Sequence, residues 1–191
     1  MIVEFTGPFS WLESDKACSI LTAPEGKNAG IYLWTVETGG GEWIYYVGQT
    51  GRSFSQRMRE HFAEHMSGGY HLNEPDEFAK GHRQLLWPGR FGAAGNRSVS
   101  DFLGQFVSLA PTIAKLAEIY RFFIAPLTCE QRVRERIEAA LAKYLYDQPG
   151  VVGDFQERGI WYRHRRQDEM PLEIEMRCAA NLIGLPRTLE V

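Results

Sequence analysis

Two runs of β-branched and aromatic residues lie close together near the start of the chain. Residues 29–36, AGIYLWTV, and residues 42–47, EWIYYV, both have the composition of β-strands. The glycine-rich segment ETGGG between them is typical of a tight turn. The pattern therefore predicts an antiparallel hairpin. Tyr45 and Tyr46 are neighbours on the second strand, so we expect Tyr45 to face away from Tyr46 and into the core.

After the hairpin the apolar period changes from two residues to that of a helix. Ser53 and Gln56 form a capping box, which predicts a helix start at this point. Arg57 and His61 stand four residues apart, so they lie one above the other on the helix surface. The apolar stripe of this helix consists of Phe54, Met58 and Phe62.

A second strand and helix follow later in the chain. Residues 119–127, IYRFFIAPL, are apolar at both alternations, as expected for a strand that is covered on two faces. Thr128 and Gln131 then form a second capping box, and a long amphipathic helix is predicted to run to Asp147. Pro149 and Gly150 are expected to end it.

The remaining segments are less periodic. From Ser67 to about Ser100 the chain is rich in Gly, Pro, Asn and His, which predicts a long irregular insertion. The segment DFLGQFVSL predicts a short helix, and Pro111 marks its end or a new start. In the tail, IWYRHRR and PLEIEMR suggest a second hairpin, and NLIGLP suggests a short helix stopped by Gly184.

Composition limits the class of protein. The 191 residues, 44% of them hydrophobic and 24% charged, suffice for one domain with a substantial core. The formal net charge of −3 does not favour a polyanion partner, so nucleic-acid binding would require basic residues gathered on one face. Three widely spaced cysteines suggest a reducing compartment and no zinc site. Without an export signal or a 20-residue apolar stretch, we expect a soluble, cytoplasmic protein that has no membrane partner.

Several short motifs follow one another in a fixed order. The tripeptide Gly30-Ile31-Tyr32 lies on the first strand and Tyr46-Val47-Gly48 on the second. Gln49-Thr50-Gly51 comes next, then Arg57 and His61 at R-x-x-x-H spacing, and finally the helix segment 136–141, RIEAAL. In this order the chain resembles the GIY-YIG nuclease superfamily. The resemblance covers roughly residues 29–146 and is interrupted by the insertion.

The resemblance implies an α/β fold of the α+β type. We expect a small three-stranded antiparallel sheet flanked by helices, with a long insertion and a C-terminal hairpin extension. The implied division is an N-terminal extension at 1–28 and a nuclease domain at 29–146, with the insertion at about 67–110. The C-terminal extension at 147–191 is expected to pack on the same domain.

The resemblance also implies a metal-dependent endonuclease that hydrolyses nucleic-acid phosphodiester bonds, with DNA favoured. Glu138 would be the metal ligand for Mg²⁺ or Mn²⁺. Arg57 would grip phosphate oxygens, and His61, whose ordinary pKa lies near neutrality, would relay a proton or bind phosphate. Tyr32 would orient or deprotonate the attacking water, and Tyr46 would contact water or phosphate.

Each of these residues also has a purely structural interpretation. Glu138 can pair with Arg134 one turn earlier, and Arg57 can be a surface arginine. A lone helix histidine such as His61 is most often structural, and Tyr32 and Tyr46 can simply pack across the hairpin. The family often carries an asparagine a dozen or so residues after the glutamate, yet no asparagine occurs between Glu138 and Asn181.

Candidate nucleic-acid contacts are basic residues near the first helix and in the tail, where WYRHRR interleaves aromatics with cations. The alternative for the tail is an ordinary charged hairpin balanced by the acidic residues that follow. Two other functions stay open, a catalytically inactive nucleic-acid-binding module and a protein-interaction domain. The candidate contacts are Arg52, Arg59, Arg163, Arg165 and Arg166, with Arg83, Arg90, Arg97 and His164 as further cations.

Overall fold

A curled, mixed β-sheet of eight strands forms the centre of the protein in the computed structural model, which describes residues 1–90, 98–156 and 160–191. A separate pair of short strands lies outside this sheet. In chain order the strands are β1 (Ile2–Ser10), β2 (Cys18–Ser19), β3 (Gly30–Thr38), β4 (Gly41–Thr50), β5 (Leu72–Asn73), β6 (Leu85–Trp87), β7 (Tyr120–Pro126), β8 (Glu173–Cys178), β9 (Leu182–Ile183) and β10 (Thr188–Glu190).

Five α-helices accompany the sheet in the described part of the chain. They are α1 (Phe54–Met66), α2 (Pro75–Ala79), α3 (Val99–Ile119), α4 (Gln131–Tyr146) and α5 (Val151–Phe155). A short 3-10 helix also occurs at Pro24–Lys27. None of the helices in the described ranges combines the length and apolar character that crossing a bilayer requires.

The expected fold class, a small three-stranded antiparallel sheet flanked by helices, is wrong. The strands run in the order β10-β8-β1-β7-β3-β4-β9, with β2 beside β1, so β7, β3 and β4 are only the middle of a larger sheet. β1 extends the sheet because it pairs antiparallel with β7 and parallel with β8. Its Val3 and Phe5 point into the core, while Glu4 between them is exposed.

The hairpin predicted from the first two apolar runs is confirmed, because β3 and β4 pair antiparallel along their whole length. The pairing shifts register once, where Trp34 lies opposite Tyr46 and Thr35 lies opposite Ile44. Tyr45 is therefore the extra residue of a β-bulge. The strand predicted at 119–127 is also confirmed, as β7 at the centre of the sheet.

The helices agree with the sequence in part. Ser53 caps α1 as predicted, since its hydroxyl accepts a hydrogen bond from the Gln56 amide. The second predicted capping box is wrong, because the N-cap of α4 is Glu130 and no side chain caps it. The helix predicted to stop near Pro111 is α3, which runs through that proline. Pro111 has no N–H to donate to the carbonyl of Val107, and Val107 is 88% exposed, so water can pair with this carbonyl.

The insertion and the tail differ from the sequence predictions. The insertion is not wholly irregular, since β5 and β6 pair and α2 lies between them. Residues 91–97 of the insertion, with Arg97, lie outside the described residues. The predicted tail hairpin is wrong, because β8 pairs with β10 and β1 and the segment 160–172 forms no strand. The predicted helix at NLIGLP is wrong as well, since Leu182 and Ile183 form β9 beside β4.

The domain division at residues 28 and 146 stays a prediction. The range 1–28 contributes β1 and β2 to the central sheet, and the range 147–191 contributes β8, β9 and β10. The core contains a dense group of aromatic rings in which Trp11 contacts Trp34 and Phe122 edge to face. This group supports the inner face of β3, where the first motif tyrosine lies.

Candidate active site

Tyr32 is the centre of the candidate site. It lies on β3 with only 1% of its surface exposed. Its hydroxyl is 2.8 Å from His61 Nε2, and Arg57 Nε donates a hydrogen bond to it at 3.3 Å. Burial raises the pKa of Tyr32, although the Arg57 cation opposes the rise, so the phenol is protonated at neutral pH.

The two glycines of the motif make room for close backbone and ring contacts. Gly48 lies opposite Tyr32 in the hairpin, and a Cβ at this position would be 2.4 Å from the Tyr32 ring. Gly30 has φ of 154°, and a Cβ there would be 2.1 Å from the carbonyl oxygen of Ala125 on β7. Only glycine therefore allows the Tyr32 ring to lie flat on β4 and β7 to approach β3.

The two motif tyrosines lie diagonally across the hairpin. Tyr46 pairs with Trp34, two residues beyond Tyr32, and the rings of Tyr32 and Tyr46 are 6.2 Å apart. Burial raises the pKa of Tyr46 well above its ordinary value, and the neighbouring Tyr32 and Tyr162 add to the rise. Tyr45 is buried, as predicted, but it does not face away from Tyr46. Because of the bulge, both side chains line one cavity.

His61 is held between two phenols. Its Nε2 contacts the hydroxyl of Tyr32, and its Nδ1 is 2.7 Å from the hydroxyl of Tyr70. Burial lowers the pKa of His61 to about 3, and the nearby Arg57 cation contributes, so the expected pKa near neutrality is wrong. A neutral imidazole donates through one nitrogen and accepts through the other. The three side chains thus form a continuous hydrogen-bonded chain.

Arg57 supplies a positive charge beside the hydrogen-bonded row of Tyr32, His61 and Tyr70. It is half-buried on the first turns of α1, and its Nη1 is 3.1 Å from Glu60 Oε2. Burial alone would lower the pKa of Arg57, but Tyr32 and Glu60 raise it above its ordinary value. The guanidinium therefore stays charged at every accessible pH and is suited to binding an anion.

Glu138 lies on α4, across from the end of β4. Its Oε1 accepts a hydrogen bond from the backbone N–H of Gln49 at 3.0 Å. Burial raises the pKa of Glu138 to about 7, while the Gln49 N–H and the Arg57 cation oppose the rise. Arg134, the partner in the structural interpretation, donates instead to the carbonyl of Cys129. The carboxylate is thus fixed by β4 and close enough to influence Tyr32.

The basic residues near α1 are held in part by an acidic neighbour. Arg52 donates two hydrogen bonds to Glu60, at 2.6 and 2.8 Å, and Arg57 shares the same carboxylate. Arg59 is exposed on the same helix. The region therefore combines two cations held by one carboxylate with a third that faces solvent.

The tail passes over the start of α4, one turn from Glu138. Arg163 pairs with the buried Glu135 at 2.9 Å, which brings the tail close to Tyr46 through Tyr162. Arg165 is 3.7 Å from Glu190, and the Arg166 amide donates to Glu169. Ion pairs therefore partly neutralise Arg163 and Arg165 within the protein, whereas the contact of Arg166 is made by its backbone amide and not by its guanidinium. Whether Arg52, Arg59, Arg163, Arg165 and Arg166 contact nucleic acid stays a prediction.

Asn181 lies away from this centre. Asn181 donates to the Gly40 carbonyl at the turn of the β3–β4 hairpin, at the opposite end of the hairpin from Gly48. The described residues hold no group of three or more His, Cys, Asp or Glu side chains that could bind a metal ion. The cysteines, all within the described ranges, form no disulfide.

Three contributors were missed by the sequence analysis. Tyr70 comes from the insertion, where no periodic pattern marks it. The Gln49 amide acts through its backbone, which side-chain motifs do not report. His65 could have been found, because it follows His61 by one helical turn on α1 and lines the same cavity.

Tyr32, Tyr46, Arg57, His61 and Glu138 thus converge from β3, β4, α1 and α4 on one place. The first four lie in direct contact or ring to ring, and Glu138 faces them from α4. The chain matches none of the family models, curated proteins or solved structures with which it was compared. The resemblance to the GIY-YIG superfamily therefore stays a prediction that is based on the motif residues.

Proposed function

We propose that the protein is a metal-dependent endonuclease that hydrolyses phosphodiester bonds of nucleic acid, with DNA as the favoured substrate. The observation that carries the proposal is the double contact at Tyr32 Oη, which meets His61 Nε2 at 2.8 Å and Arg57 Nε at 3.3 Å, with the Glu138 carboxylate nearby. A permanent cation and a carboxylate beside one phenol, which a neutral imidazole holds in place, can supply the charge stabilisation and the hydrogen bonds that favour phosphodiester hydrolysis.

The residues fit a divalent cation such as Mg²⁺ or Mn²⁺. Glu138 would hold it, because its Oε1 is fixed by the Gln49 amide while Oε2 has no hydrogen-bond partner among the described residues. Mg²⁺ keeps several waters and needs only one or two protein carboxylates beside a phosphate, so a single carboxylate suffices. When bound, such a cation stabilises the negative charge that develops on the phosphate.

The remaining groups belong to the chain itself. Arg57 keeps its charge beside Tyr32 and donates to phosphate oxygens from its half-buried position. Tyr32 orients a water through its hydroxyl, which His61 holds in place. Tyr70 in turn fixes the imidazole through Nδ1, so that the neutral His61 ring holds the Tyr32 hydroxyl in one orientation.

The test is cleavage of supercoiled plasmid, branched DNA and single-stranded DNA with Mg²⁺ or Mn²⁺. We expect the wild type to cut, and Glu138→Gln and Arg57→Ala each to lose at least a hundredfold in rate, since each removes charge stabilisation of the transition state. The matched controls are Glu118→Gln on α3 and Arg177→Ala on β8, both exposed. We expect the controls to cut at the wild-type rate.

Circular dichroism and a thermal melt show whether each variant is folded. Folded Glu138→Gln and Arg57→Ala that cut as fast as the wild type would contradict the assignment of these residues. A wild type that neither cuts nor binds any nucleic acid would overturn the proposed function.

A second candidate is a catalytically inactive nucleic-acid-binding module. The observation that favours it is the missing asparagine after Glu138, together with the position of Asn181 at the far end of the hairpin. This candidate predicts binding without cleavage, with an affinity that falls steeply as salt is added because phosphate contacts release counterions. Cleavage by the wild type distinguishes the two functions, because both bind nucleic acid and only the nuclease cuts it, whereas the salt titration separates either of them from a protein-interaction domain.

A further inference from the structure

Glu60 links two arginines at the start of α1. Its two carboxylate oxygens accept hydrogen bonds from Nη1 and Nη2 of Arg52 at 2.6 and 2.8 Å, the bidentate geometry of strong arginine–carboxylate pairs. Its Oε2 also accepts a hydrogen bond from Nη1 of Arg57 at 3.1 Å. Desolvation alone would raise the pKa of Glu60, but the hydrogen bonds from Arg57 and Arg52 lower it, so the carboxylate is charged at neutral pH.

The outer arginine of this pair is itself held by β4. The Thr50 hydroxyl, at the end of β4, accepts a hydrogen bond from the Arg52 backbone N–H at 3.0 Å and donates one to the Arg52 carbonyl at 3.2 Å. Thr50 is buried, so this anchor is part of the rigid body of the protein. A row of hydrogen bonds thus runs from the end of β4 through Arg52 and Glu60 to Arg57.

The inner end of this row fixes the plane of the Arg57 guanidinium. Nε donates to the Tyr32 hydroxyl at 3.3 Å and Nη1 donates to Glu60, so two of the three nitrogens are held. Nη2 has no hydrogen-bond partner among the described residues. A planar guanidinium that is held at two nitrogens leaves the N–H groups of the third for a phosphate oxygen.

Holding Arg57 before the substrate arrives matters for the rate. An arginine side chain has several rotatable bonds, and ordering them costs conformational entropy. A cation that is already oriented stabilises developing charge without this cost at the moment of reaction. Without Glu60, the contact with Tyr32 would be the one remaining hydrogen bond that orients Arg57 within the described part of the chain.

We propose that Glu60 is a positioning residue, which holds Arg57 so that Nη2 can donate to the phosphate in the transition state of hydrolysis. The inference rests on the proposed function, because it takes the anion at Arg57 to be the phosphate of a nuclease substrate. Glu60 acts through Arg57 and not on the phosphate, since a carboxylate and a phosphate repel each other. It should therefore raise the cleavage rate without strengthening the binding of nucleic acid.

The chain offers a matched pair of variants in Glu60→Gln and Glu64→Gln. Both glutamates lie on α1, one turn apart, and their side chains are 36% and 38% exposed. Each pairs with an arginine, since Glu64 is 3.2 Å from Arg90. Each substitution removes one negative charge, but only Glu60→Gln affects the contact with Arg57. Both variants should fold, because exposed ion pairs contribute little to stability.

The first measurement separates binding from cleavage. Fluorescence anisotropy with a labelled DNA oligonucleotide, without metal, gives the affinity, and single-turnover plasmid cleavage with Mg²⁺ at saturating protein gives the rate. Glu60→Gln should bind at least as tightly as the wild type but cut about tenfold more slowly, because Arg57 loses its fixed orientation. Glu64→Gln should cut at the wild-type rate. A general loss of structure would weaken binding as well as cleavage.

The second measurement needs no cleavage. NMR relaxation of the Nε–Hε group reports how rigidly Arg57 is held, and its signal is identified by its loss in Arg57→Lys. In Glu60→Gln the order parameter should fall below about 0.6, the range typical of flexible groups. In Glu64→Gln it should equal that of the wild type.

Each outcome decides the inference. Slower cleavage with undiminished binding and a mobile Arg57 in Glu60→Gln supports it. A rigid Arg57 or a wild-type cleavage rate in that variant overturns it, and so does tighter binding with faster cleavage, which would identify Glu60 as a competitor of the phosphate. A wild type that cuts no DNA overturns the proposed function, whereas the order parameter still shows whether Glu60 holds Arg57, so the two failures are distinguishable.

Discussion

Single atoms decide the geometry around Tyr32. The ring packs directly on Gly48, so the motif glycine is required by contact and not by turn formation. Gly48→Ala is expected to displace Tyr32 from its contacts with His61 and Arg57 and to lower the cleavage rate at least tenfold. The overpacking should also lower the free energy of unfolding by about 1–3 kcal/mol. Cleavage assays and urea unfolding measure the two effects.

The control for this change is Gly39→Ala in the β3–β4 turn, where an added Cβ would meet nothing within 4 Å. It should behave like the wild type in both assays. A Gly48→Ala variant that cuts at the wild-type rate would show that Tyr32 does not need its present position.

The sequence analysis named the residues around Tyr32 more successfully than it predicted the way in which their side chains point. Tyr32, Arg57 and His61 were singled out by the resemblance to the GIY-YIG superfamily, and β3 and α1 bring the three side chains into contact. The direction of Tyr45 was predicted wrongly, because a bulge moves one residue out of the two-residue alternation and leaves no sign in the composition. The lowered pKa of His61 could not be predicted either, since burial depends on residues distant in sequence.

Among the elements, α4 connects the candidate site to the C-terminal segment. Glu138 on this helix faces β4, while Arg136 Nη2 donates to the main-chain oxygens of Met170 and Val191 at 2.7 and 2.6 Å. Arg132 meanwhile pairs with Glu169 at 2.6 Å. The position of the carboxylate thus depends in part on chain far from the motifs.

This connection predicts the effect of Arg136→Met. The substitution keeps most of the apolar stem but removes the charged donor from two main-chain oxygens, so we expect the free energy of unfolding to fall by about 2–4 kcal/mol. Urea unfolding provides the measurement. Lys143→Met on the same helix removes only an exposed pair with Asp147 and should cost less than about 1 kcal/mol. Equal losses in the two variants would contradict this role of Arg136.

For the whole molecule, the sequence predicted the strand pairs that are close along the chain but not those that are far apart. The β3–β4 hairpin was predictable because both strands and their turn are contiguous. The pairing of Ile2 with Glu175 joins opposite ends of the chain, and no local pattern selects that partner. The predicted sheet was therefore too small, although its central strands were identified.

Buried titratable groups make the stability of the whole molecule depend on pH. Burial lowers the pKa of His61 to about 3 and of His65 to about 4, from 6.5, and raises the pKa of Glu138 to about 7, from 4.5. Between pH 6.5 and 4.5 the unfolded chain therefore binds about two more protons on histidine and one fewer on glutamate. With a net uptake of about one proton, the free energy of unfolding should fall by about 1.4 kcal/mol per pH unit on acidification.

Urea unfolding at several pH values between 4.5 and 6.5 measures this slope. His65→Gln removes one of the two histidine protons, so the slope should become nearly flat, whereas His82→Gln changes an exposed residue and should leave it unaltered. An unchanged slope in His65→Gln would contradict the burial of a neutral imidazole at this position.

The contact between Tyr70 and His61 also gives experimental control over the molecule. Tyr70 lies outside the motifs, yet its hydroxyl forms a hydrogen bond with the imidazole of His61, which in turn holds Tyr32. A photocaged tyrosine incorporated at position 70 would block that hydroxyl until illumination, with every group around the phosphate left intact. The protein could then be loaded on its substrate in the dark and started by a flash of light, so that the first turnover is followed in time.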